Sequence, residues 1–314
     1  MFYSIFKKQF FNIWDKIKKD ELPKIAKIQP LKGTTYKDYK ILSKEINTDY
    51  DIDFNIYSLT KINKNYPLIF DIHGGGWVYG DKELNKDFCF HLAANKFNVV
   101  SLTYPLLDDK KIHLDTQIQS IFKCLSYLKL HQNELNISMN NILLTGDSAG
   151  GELALLFATI NQNKDMQLAY NVDHLDININ CLVINHGVPY IDDAAKVIGH
   201  PILSKYVTTP GINHLLFGRF YKSKKIYQMA NPNYYLNKNF TYPPILVITS
   251  KGDKEYAAIS IKLAETLRDK NIYHELYVEN SEKCLHVFNV AHPDSPEGIK
   301  ANKKIVEFYK ENIK

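Results

Sequence analysis

The sequence predicts an α/β fold with one mostly parallel central sheet and helices on both faces. Two observations predict it. Short, nearly continuous apolar runs recur along the 314 residues, as in strands that are buried on both faces of a parallel sheet. Helical patterns separate several of these runs, and such alternation indicates a doubly wound sheet. With 45% apolar side chains, the chain can bury the core that this sheet needs.

The elements follow in chain order. Residues 50–56 alternate apolar and polar side chains, which predicts a strand with one wet face. Buried strands are predicted at 67–72, 98–104, 141–146, 181–187 and 244–250, with a last strand near 272–278. Helices are predicted at 115–131, 149–161, 257–270 and 296–312.

Two segments lie outside this alternation. The basic N-terminus predicts a helix with an apolar stripe, formed by Phe2, Phe6, Phe10, Ile13 and Ile17. We favour packing of this stripe on the protein itself, with membrane contact as the alternative. Residues 190–242 are too long for a structureless loop, so we expect a helical insertion there. It would cover the carboxyl ends of the strands, where ligands bind in open α/β sheets.

Composition excludes several classes of partner and site. The net charge is only +5 and the lysines are scattered, which argues against nucleic-acid binding. The four cysteines show no CxxC pair and no zinc-ligand spacing, so we expect no metal and read them as buried free thiols: Cys89, Cys124, Cys181 and Cys284. No signal-peptide pattern and no run of transmembrane length occurs, which predicts a soluble, cytoplasmic protein.

One serine stands where a buried strand passes directly into an apolar helix pattern. The segment GDSAG (146–150) fits G-x-S-x-G, the nucleophile elbow of α/β-hydrolases. So sharp a turn strains the serine backbone, and the flanking positions need glycine because they crowd neighbouring backbone. The alternative is a glycine-rich turn with an incidental Ser148. GDSAGG also resembles the serine region of chymotrypsin-like proteases, but the α/β alternation argues against that class.

A second glycine-rich segment precedes the serine. HGGGW (73–77) directly follows the buried strand 67–72. Attack on an ester creates an oxyanion, which needs preorganised N–H donors. We predict that the N–H groups of Gly75, Gly76 and Ala149 supply them, and that His73 shapes the loop through a hydrogen bond. The alternative for these glycines is a flexible loop.

A serine nucleophile needs a base and a carboxylate that orients it, in the chain order serine, acid, histidine. His286 lies in a loop after the last strand and is the predicted base, with His292 in reserve. The predicted acid is Asp253, which follows the strand 244–250. The alternatives for the acid are Glu255, then Asp192 or Asp193.

With these residues placed, the chain resembles the hormone-sensitive-lipase-like family of α/β-hydrolase carboxylesterases over roughly residues 65–310. The resemblance rests on HGGGW, GDSAGG, the Asp253 loop and His286-Val287-Phe288. It implies an α/β-hydrolase fold in a single domain, 1–314, with cap elements at about 1–35 and 190–242. The chain departs from the family pattern at Val287, where glycine commonly follows the histidine, and in the acid loop, where Asp-Pro-Leu is common.

The resulting hypothesis is a carboxylesterase that cleaves short- to medium-chain esters through Ser148, His286 and Asp253, without metal or cofactor. Its partner is a small-molecule ester, and the predicted substrate-binding residues are Trp77, Leu216 and Phe217. One alternative is a formamidase or small-amide hydrolase, because related formamidases share the HGGGW motif. Another is a non-catalytic binding protein on a hydrolase fold. The oligomeric state is open, with a homodimer as one option.

Overall fold

The structure is a computed structural model that describes residues 2–25, 28, 32–46, 52–108, 111–198, 209–237 and 239–313. Its centre is an eight-stranded sheet in the order β1-β2-β4-β3-β5-β6-β7-β8. The strands are β1 (Tyr39–Ile46), β2 (Ile52–Leu59), β3 (Leu68–Ile72), β4 (Asn98–Thr103), β5 (Ile142–Asp147), β6 (Ile179–Asn185), β7 (Ile245–Ser250) and β8 (His274–Glu279). The pairs β1–β2 and β2–β4 are antiparallel and the others are parallel, which confirms the predicted mostly parallel sheet.

The helices of the described residues fill the connections between the strands. They are α1 (Phe2–Ile25), α2 (Lys86–Ala93), α3 (Leu114–His131), α4 (Ala149–Ile160), α5 (Lys164–Tyr170), α6 (Ile191–Ile198), α7 (Thr209–Phe217), α8 (Lys224–Met229), α9 (Pro232–Tyr235), α10 (Ala257–Asp269), α11 (Phe288–Ala291) and α12 (Pro296–Asn312). Two short 3₁₀ helices lie at Tyr36–Asp38 and Gly218–Phe220. The four helices predicted from the sequence are confirmed within two residues at each end.

Alternate residues of the central strands pack on opposite faces, because side chains of a strand point to the two faces in turn. Ile69 and Val99 join the apolar cluster under α2 and α12. Phe70 and Val100 join the cluster under α3, α4 and α10. Both faces of the sheet are therefore buried, as the continuous apolar runs predicted.

The prediction that β2 has one face exposed to water is wrong. β1, which the sequence did not reveal, pairs with one side of β2, and β4 pairs with the other. Asn55 and Tyr57 lie on the predicted wet face but are fully buried, because α2 covers that face: the Tyr57 ring stands edge-on to Phe90 with centroids 5.2 Å apart. The Asn55 amide donates to the Tyr57 hydroxyl at 2.8 Å. The Asn55 amide also donates to Glu83, so its burial does not leave an unpaired donor.

The N-terminal stripe packs on the protein itself at Phe6 and Phe10, as favoured, while the side chain of Phe2 lies outside the described residues. Phe6 and Phe10 are buried with stacked rings, and Phe6 lies against Gly211 of α7. Trp14 continues the stripe, whereas Ile13 is 40% exposed and faces away. No described helix combines the length and the apolarity needed to cross a bilayer.

The described part of the predicted insertion is helical, with α6 to α9 between β6 and β7. Residues 199–208 of that insertion lie outside the described residues. The four cysteines are free and buried, as predicted.

Candidate active site

Ser148 occupies the turn between β5 and α4 in a backbone conformation that few L-residues adopt. Its φ is +49° and its ψ is −116°. Its backbone N–H donates to the Asn185 carbonyl at 2.9 Å, and its carbonyl accepts from the Val188 N–H at 3.2 Å. The neighbouring strand thus holds the serine in a strained conformation, as in sites where strain is stored for function.

The glycines around Ser148 are required by close backbone packing. A Cβ at Gly146 would collide with the carbonyl oxygen of Gly150. A Cβ at Gly150 would collide with the carbonyl oxygen of Ile72 at the end of β3. The crowding predicted for positions two before and two after the serine is therefore present in the structure.

Three of the predicted site residues form a chain of hydrogen bonds in which His286 contacts both Ser148 and Asp253. His286 Nε2 is 2.9 Å from Ser148 Oγ, and His286 Nδ1 is 2.8 Å from Asp253 Oδ2. Asp253 follows β7 and His286 follows β8, so three separate loops meet at the carboxyl edge of the sheet. The Asp253 carboxylate is buried and the His286 side chain is 27% exposed. A base between a hydroxyl and an oriented carboxylate is the arrangement that activates a serine.

Among the described contacts, the alternative acids form no hydrogen bond with Ser148 or His286. Glu255 is exposed two residues beyond Asp253. Asp193 forms ion pairs with Lys196 and Lys262, and Asp192 accepts a hydrogen bond from the Tyr227 hydroxyl. Asp192 and Asp193 therefore have partners away from Ser148.

His292 lines the cavity in front of Ser148, but among the described contacts only the ring of His286 bonds to the hydroxyl. His292 is thus close to Ser148 but forms no described hydrogen bond with it.

The segment after β3 brings Gly75 to the wall of the cavity that also contains Ser148. Gly75 and Gly76 have φ values of +93° and +56°, and a Cβ on either would collide with Tyr79 or Trp14. In the part of the chain that the structure describes, no hydrogen bond uses the N–H of Gly75, Gly76 or Ala149. Free backbone donors beside a nucleophile are suited to a developing oxyanion.

Buried contacts fix this loop. The Tyr104 hydroxyl donates to the carbonyl of His73 at 2.8 Å, and the two rings stack with centroids 4.3 Å apart. The His73 Nδ1 lies 2.9 Å from the Gly74 carbonyl, in the loop-shaping role that was predicted for it. Burial lowers the pKa of His73 to about 4, so the ring is neutral at pH 7.

Asp147 links the two glycine-rich segments. Its Oδ1 accepts from the Gly74 N–H at 2.9 Å and from the Asn85 amide at 2.7 Å. The same Asn85 amide donates to Asp71 at 2.9 Å. Burial raises the pKa of Asp147 to about 6 despite these bonds and the nearby His286.

A cavity of about 290 Å³ opens in front of Ser148 and His286. Its wall includes Trp14 of α1, a residue that the sequence analysis did not assign to the site. The other lining residues are mainly apolar, with a few polar ones: Ile28, Gly75, Tyr79, Leu84, Asn85, Asp87, Asp147, Lys283, Leu285, Val287, Phe288, Val290, Ala291 and His292. A concave, mostly apolar site with a few polar groups is typical of small-molecule binding.

The predicted substrate-binding residues are not among the described residues that line this cavity. Trp77 is buried, and its indole N–H donates to Glu152 Oε2 at 3.2 Å, which turns the ring inward. Leu216 and Phe217 instead line a cavity of about 380 Å³ that shares no described lining residue with the first. α7 holds both residues at this second cavity. Its Leu215 carbonyl accepts a hydrogen bond from the ring of His113, which immediately precedes α3.

A second histidine also contacts the predicted acid. His186, directly after β6, is fully buried, and its Nδ1 is 2.6 Å from Asp253 Oδ2. The nitrogen and oxygen atoms by which His186, Asp253 and His286 could bind a metal lie within 4.8 Å of one another. Both rings bond to the carboxylate, so the group is already paired internally. The feature of the sequence that could have revealed His186 is its position directly after a buried strand, at the same edge of the sheet as Ser148.

Comparison with known proteins agrees with this fold. The BD-FAE family matches residues 54–270. Among individual relatives, the alpha/beta hydrolase R526 of Acanthamoeba polyphaga mimivirus is 29% identical over 132 residues, which is 41% of this chain and 37% of that protein. An arylesterase of Saccharolobus solfataricus is 28% identical over 126 residues, 40% of each chain. The chain thus matches about two fifths of the length of these curated relatives.

Among solved structures, esterase B of Lactobacillus rhamnosis superposes with a TM-score of 0.86. The two chains are 24% identical, with 98% of this chain and 95% of the other covered. A form of that esterase inhibited by a tributyrin phosphonate superposes at 0.84 with 25% identity, over 98% and 95% of the two chains. The α/β-hydrolase fold predicted from the sequence is therefore confirmed.

Proposed function

Because the chain belongs to the BD-FAE family and to the hormone-sensitive-lipase-like α/β-hydrolases that its motifs predict, we propose that it is a carboxylesterase with Ser148 as its nucleophile. The single observation that carries this proposal is the continuous hydrogen-bond path from Ser148 Oγ through His286 to Asp253. The phosphonate-inhibited form of the structurally similar esterase B supports the same class of chemistry.

The reaction begins when Ser148 Oγ attacks the ester carbonyl carbon while His286 Nε2 takes the hydroxyl proton. Asp253 holds the imidazole through Nδ1 and stabilises its positive charge. The carbonyl oxygen becomes an oxyanion that accepts from the free N–H groups of Gly75, Gly76 and Ala149. The N-terminal end of α4 adds the positive end of its dipole at the same place.

The tetrahedral intermediate then collapses. The alcohol leaves with the proton from His286, and the acyl group remains on Ser148. Water enters, gives a proton to His286 and attacks the acyl carbon, which releases the acid and restores the hydroxyl.

The size of the cavity supports short acyl chains. Its volume of about 290 Å³ is at the small end of the range for small-molecule sites. We expect hydrolysis of p-nitrophenyl acetate and butyrate, with kcat/KM falling steeply for the decanoate. The measurement is a series of initial rates against acyl length at fixed pH.

The direct test is Ser148→Ala. We expect kcat to fall on the order of 10⁶-fold, because removal of the nucleophile leaves only binding and the oxyanion donors. Activity within tenfold of the wild type would end this assignment, and total inactivity of the wild-type protein would favour the non-catalytic alternative. Comparison of kcat/KM for the butyrate ester and for an N-formyl aromatic amide decides between an esterase and a formamidase.

We also propose that α1 and the helices α6 to α9 form a cap over this site. Trp14 of α1 lines the cavity, and α1 rests on α7 through Phe6 and Gly211. A cap of this kind excludes water from the charges that develop during the reaction.

A further inference from the structure

Resting on the proposed function, we propose that His186 is a positioning residue for catalysis: its Nδ1–H fixes the oxygen of Asp253 that orients His286. It would touch neither the ester nor Ser148. It would act through the carboxylate.

The geometry places two donors on one oxygen. Asp253 Oδ2 is 2.6 Å from His186 Nδ1 and 2.8 Å from His286 Nδ1. The other oxygen, Oδ1, accepts from the Tyr256 N–H at 3.1 Å. Three N–H groups therefore determine both the position and the rotation of the carboxylate. If the His186 donor is removed, Oδ2 keeps only the bond to the ring that it must orient.

The protonation of His186 follows from its surroundings. Burial lowers the pKa of His186 to about 4, so the ring is neutral at pH 7 and carries one proton. A carboxylate only accepts, so that proton must be on Nδ1. His186 Nε2 then carries a lone pair, which agrees with its lack of a hydrogen-bond partner among the described residues.

The fold holds His186 rigidly for this purpose. Its N–H donates to the Ile248 carbonyl at 2.8 Å, and its φ is +49°, which is rare for a non-glycine residue. Its ring stands edge-on to the rings of His286 and Phe288, with centroids 5.5 and 5.6 Å apart. Strain of this kind persists where surrounding contacts hold it in place.

The second donor also reduces the basicity of the carboxylate. Burial alone would raise the pKa of Asp253, but hydrogen bonds from His186 and His286 hold it well below its usual range. A carboxylate that loses the His186 bond becomes a stronger partner for protonated His286. The other titratable groups that face His286 are Asp147 and Tyr256, with Asp87, Lys283 and His292 on the cavity wall.

The test compares His186→Asn with His186→Leu. Asparagine tolerates left-handed φ, and its amide nitrogen is as many bonds from Cβ as the imidazole Nδ1, so it can keep the donor. Leucine removes it. We expect kcat of the leucine variant to fall about 10–100-fold with KM nearly unchanged, as for other groups that orient a catalytic ligand or base.

The pH profile separates positioning from packing. In the leucine variant we expect the acid limb of kcat/KM to move up by about half a pH unit to one pH unit, because the Asp253 carboxylate has lost one donor and attracts positive charge more strongly. In the asparagine variant the limb should stay near its wild-type position, with kcat within about tenfold. His174→Leu is the matched control, because its Nδ1 bonds the Asn161 carbonyl away from the site.

If leucine prevents folding, His186→Gln replaces it, since its amide is one bond further from the backbone and misses the Nδ1 position. A leucine or glutamine variant with wild-type kcat and an unmoved acid limb would overturn the proposal. So would a loss of rate that asparagine does not restore. A wild-type protein without ester turnover would instead refute the proposed function, which the Ser148→Ala comparison tests separately.

Discussion

The two edges of the sheet use left-handed backbone in different ways. Among the residues that the structure describes, nine that are not glycine have φ between +49° and +66°. Five lie in turns at the amino edge of the parallel strands, and all five are exposed: Thr60, Lys96, Asn136, Asn171 and Asn271. Four lie at the carboxyl edge and are buried or half-buried: Trp77, Ser148, His186 and Val287.

The difference lies in what supports the conformation. At the amino edge, asparagine predominates, and its short side chain tolerates left-handed φ with little cost. At the carboxyl edge, three of the four residues are bulky or β-branched, and such residues are strained in this conformation unless tertiary contacts hold them. His186 and Ser148 are held by bonds to the neighbouring strands. The edge that bears the candidate active site is therefore the one that stores strain.

The largest expected effect on stability is at the carboxyl edge, from Glu152 in the first turn of the helix after Ser148. Burial raises the pKa of Glu152 to about 8. In the unfolded chain the pKa is about 4.3. At pH values between these two pKa values, the Glu152 carboxyl is protonated in the folded protein and ionised in the unfolded chain. The free energy of unfolding therefore falls by up to about 1.4 kcal/mol for each unit of pH increase.

We therefore expect Glu152→Gln to change stability in a pH-dependent way. Glutamine keeps an acceptor for the Trp77 indole but cannot ionise. The free energy of unfolding of the Glu152→Gln variant should exceed that of the wild type only slightly near pH 4.5. This difference should grow to about 2–4 kcal/mol by about pH 8 and then level off. Urea unfolding of both proteins at a series of pH values measures it. A difference that does not change with pH would mean that Glu152 is not a buried, protonated carboxyl.

A smaller effect is expected from the cap side of the carboxyl edge. Trp14→Ala removes one wall of the Ser148 cavity, so we expect KM for butyrate to rise about tenfold with kcat largely retained, as when uniform binding is lost. Ile13→Ala is the control on the same helix, because Ile13 is 40% exposed and faces away. Equal KM values for the two variants would argue against α1 as part of the cap.

The smallest effect is expected at the amino edge. Asn271 follows the C-cap of α10 with φ +55° and is exposed. Asn271→Ala should destabilise the protein by about 1 kcal/mol, and Asn271→Gly by a few tenths or not at all. Neither should change kcat/KM more than about twofold. Thermal unfolding and butyrate kinetics test this, and a large loss of activity would contradict the division between the two edges.

Much of the fold could be predicted because its causes are local. Buried parallel strands need continuous apolar runs, and the elbow needs glycines at fixed positions on either side of Ser148. The candidate base and acid followed from the edge at which each strand ends. The strand 39–46 was missed because its exposed residues give no apolar run. β2 was misread because α2, which is distant in sequence, covers the face that carries its polar residues.

The details that sequence could not supply depend on contacts between distant segments. His186 and Asp253 are 67 residues apart, and nothing local indicates that one carboxylate serves two rings. Trp14 comes to the cavity only because α1 folds back over the glycine loop. Trp77 was assigned to the substrate, yet its left-handed backbone and its bond to Glu152 turn the indole into the core.

The most direct test of the central claim is covalent labelling of the protein with a fluorophosphonate, followed by mapping of the modified residue by mass spectrometry. We expect one phosphonylated residue, Ser148, with labelling slowed strongly in His286→Ala and lost in Ser148→Ala. An unmodified Ser148 in the folded wild-type protein, or equal labelling of the His286→Ala variant, would contradict the claim that the carboxyl edge of this sheet activates that hydroxyl.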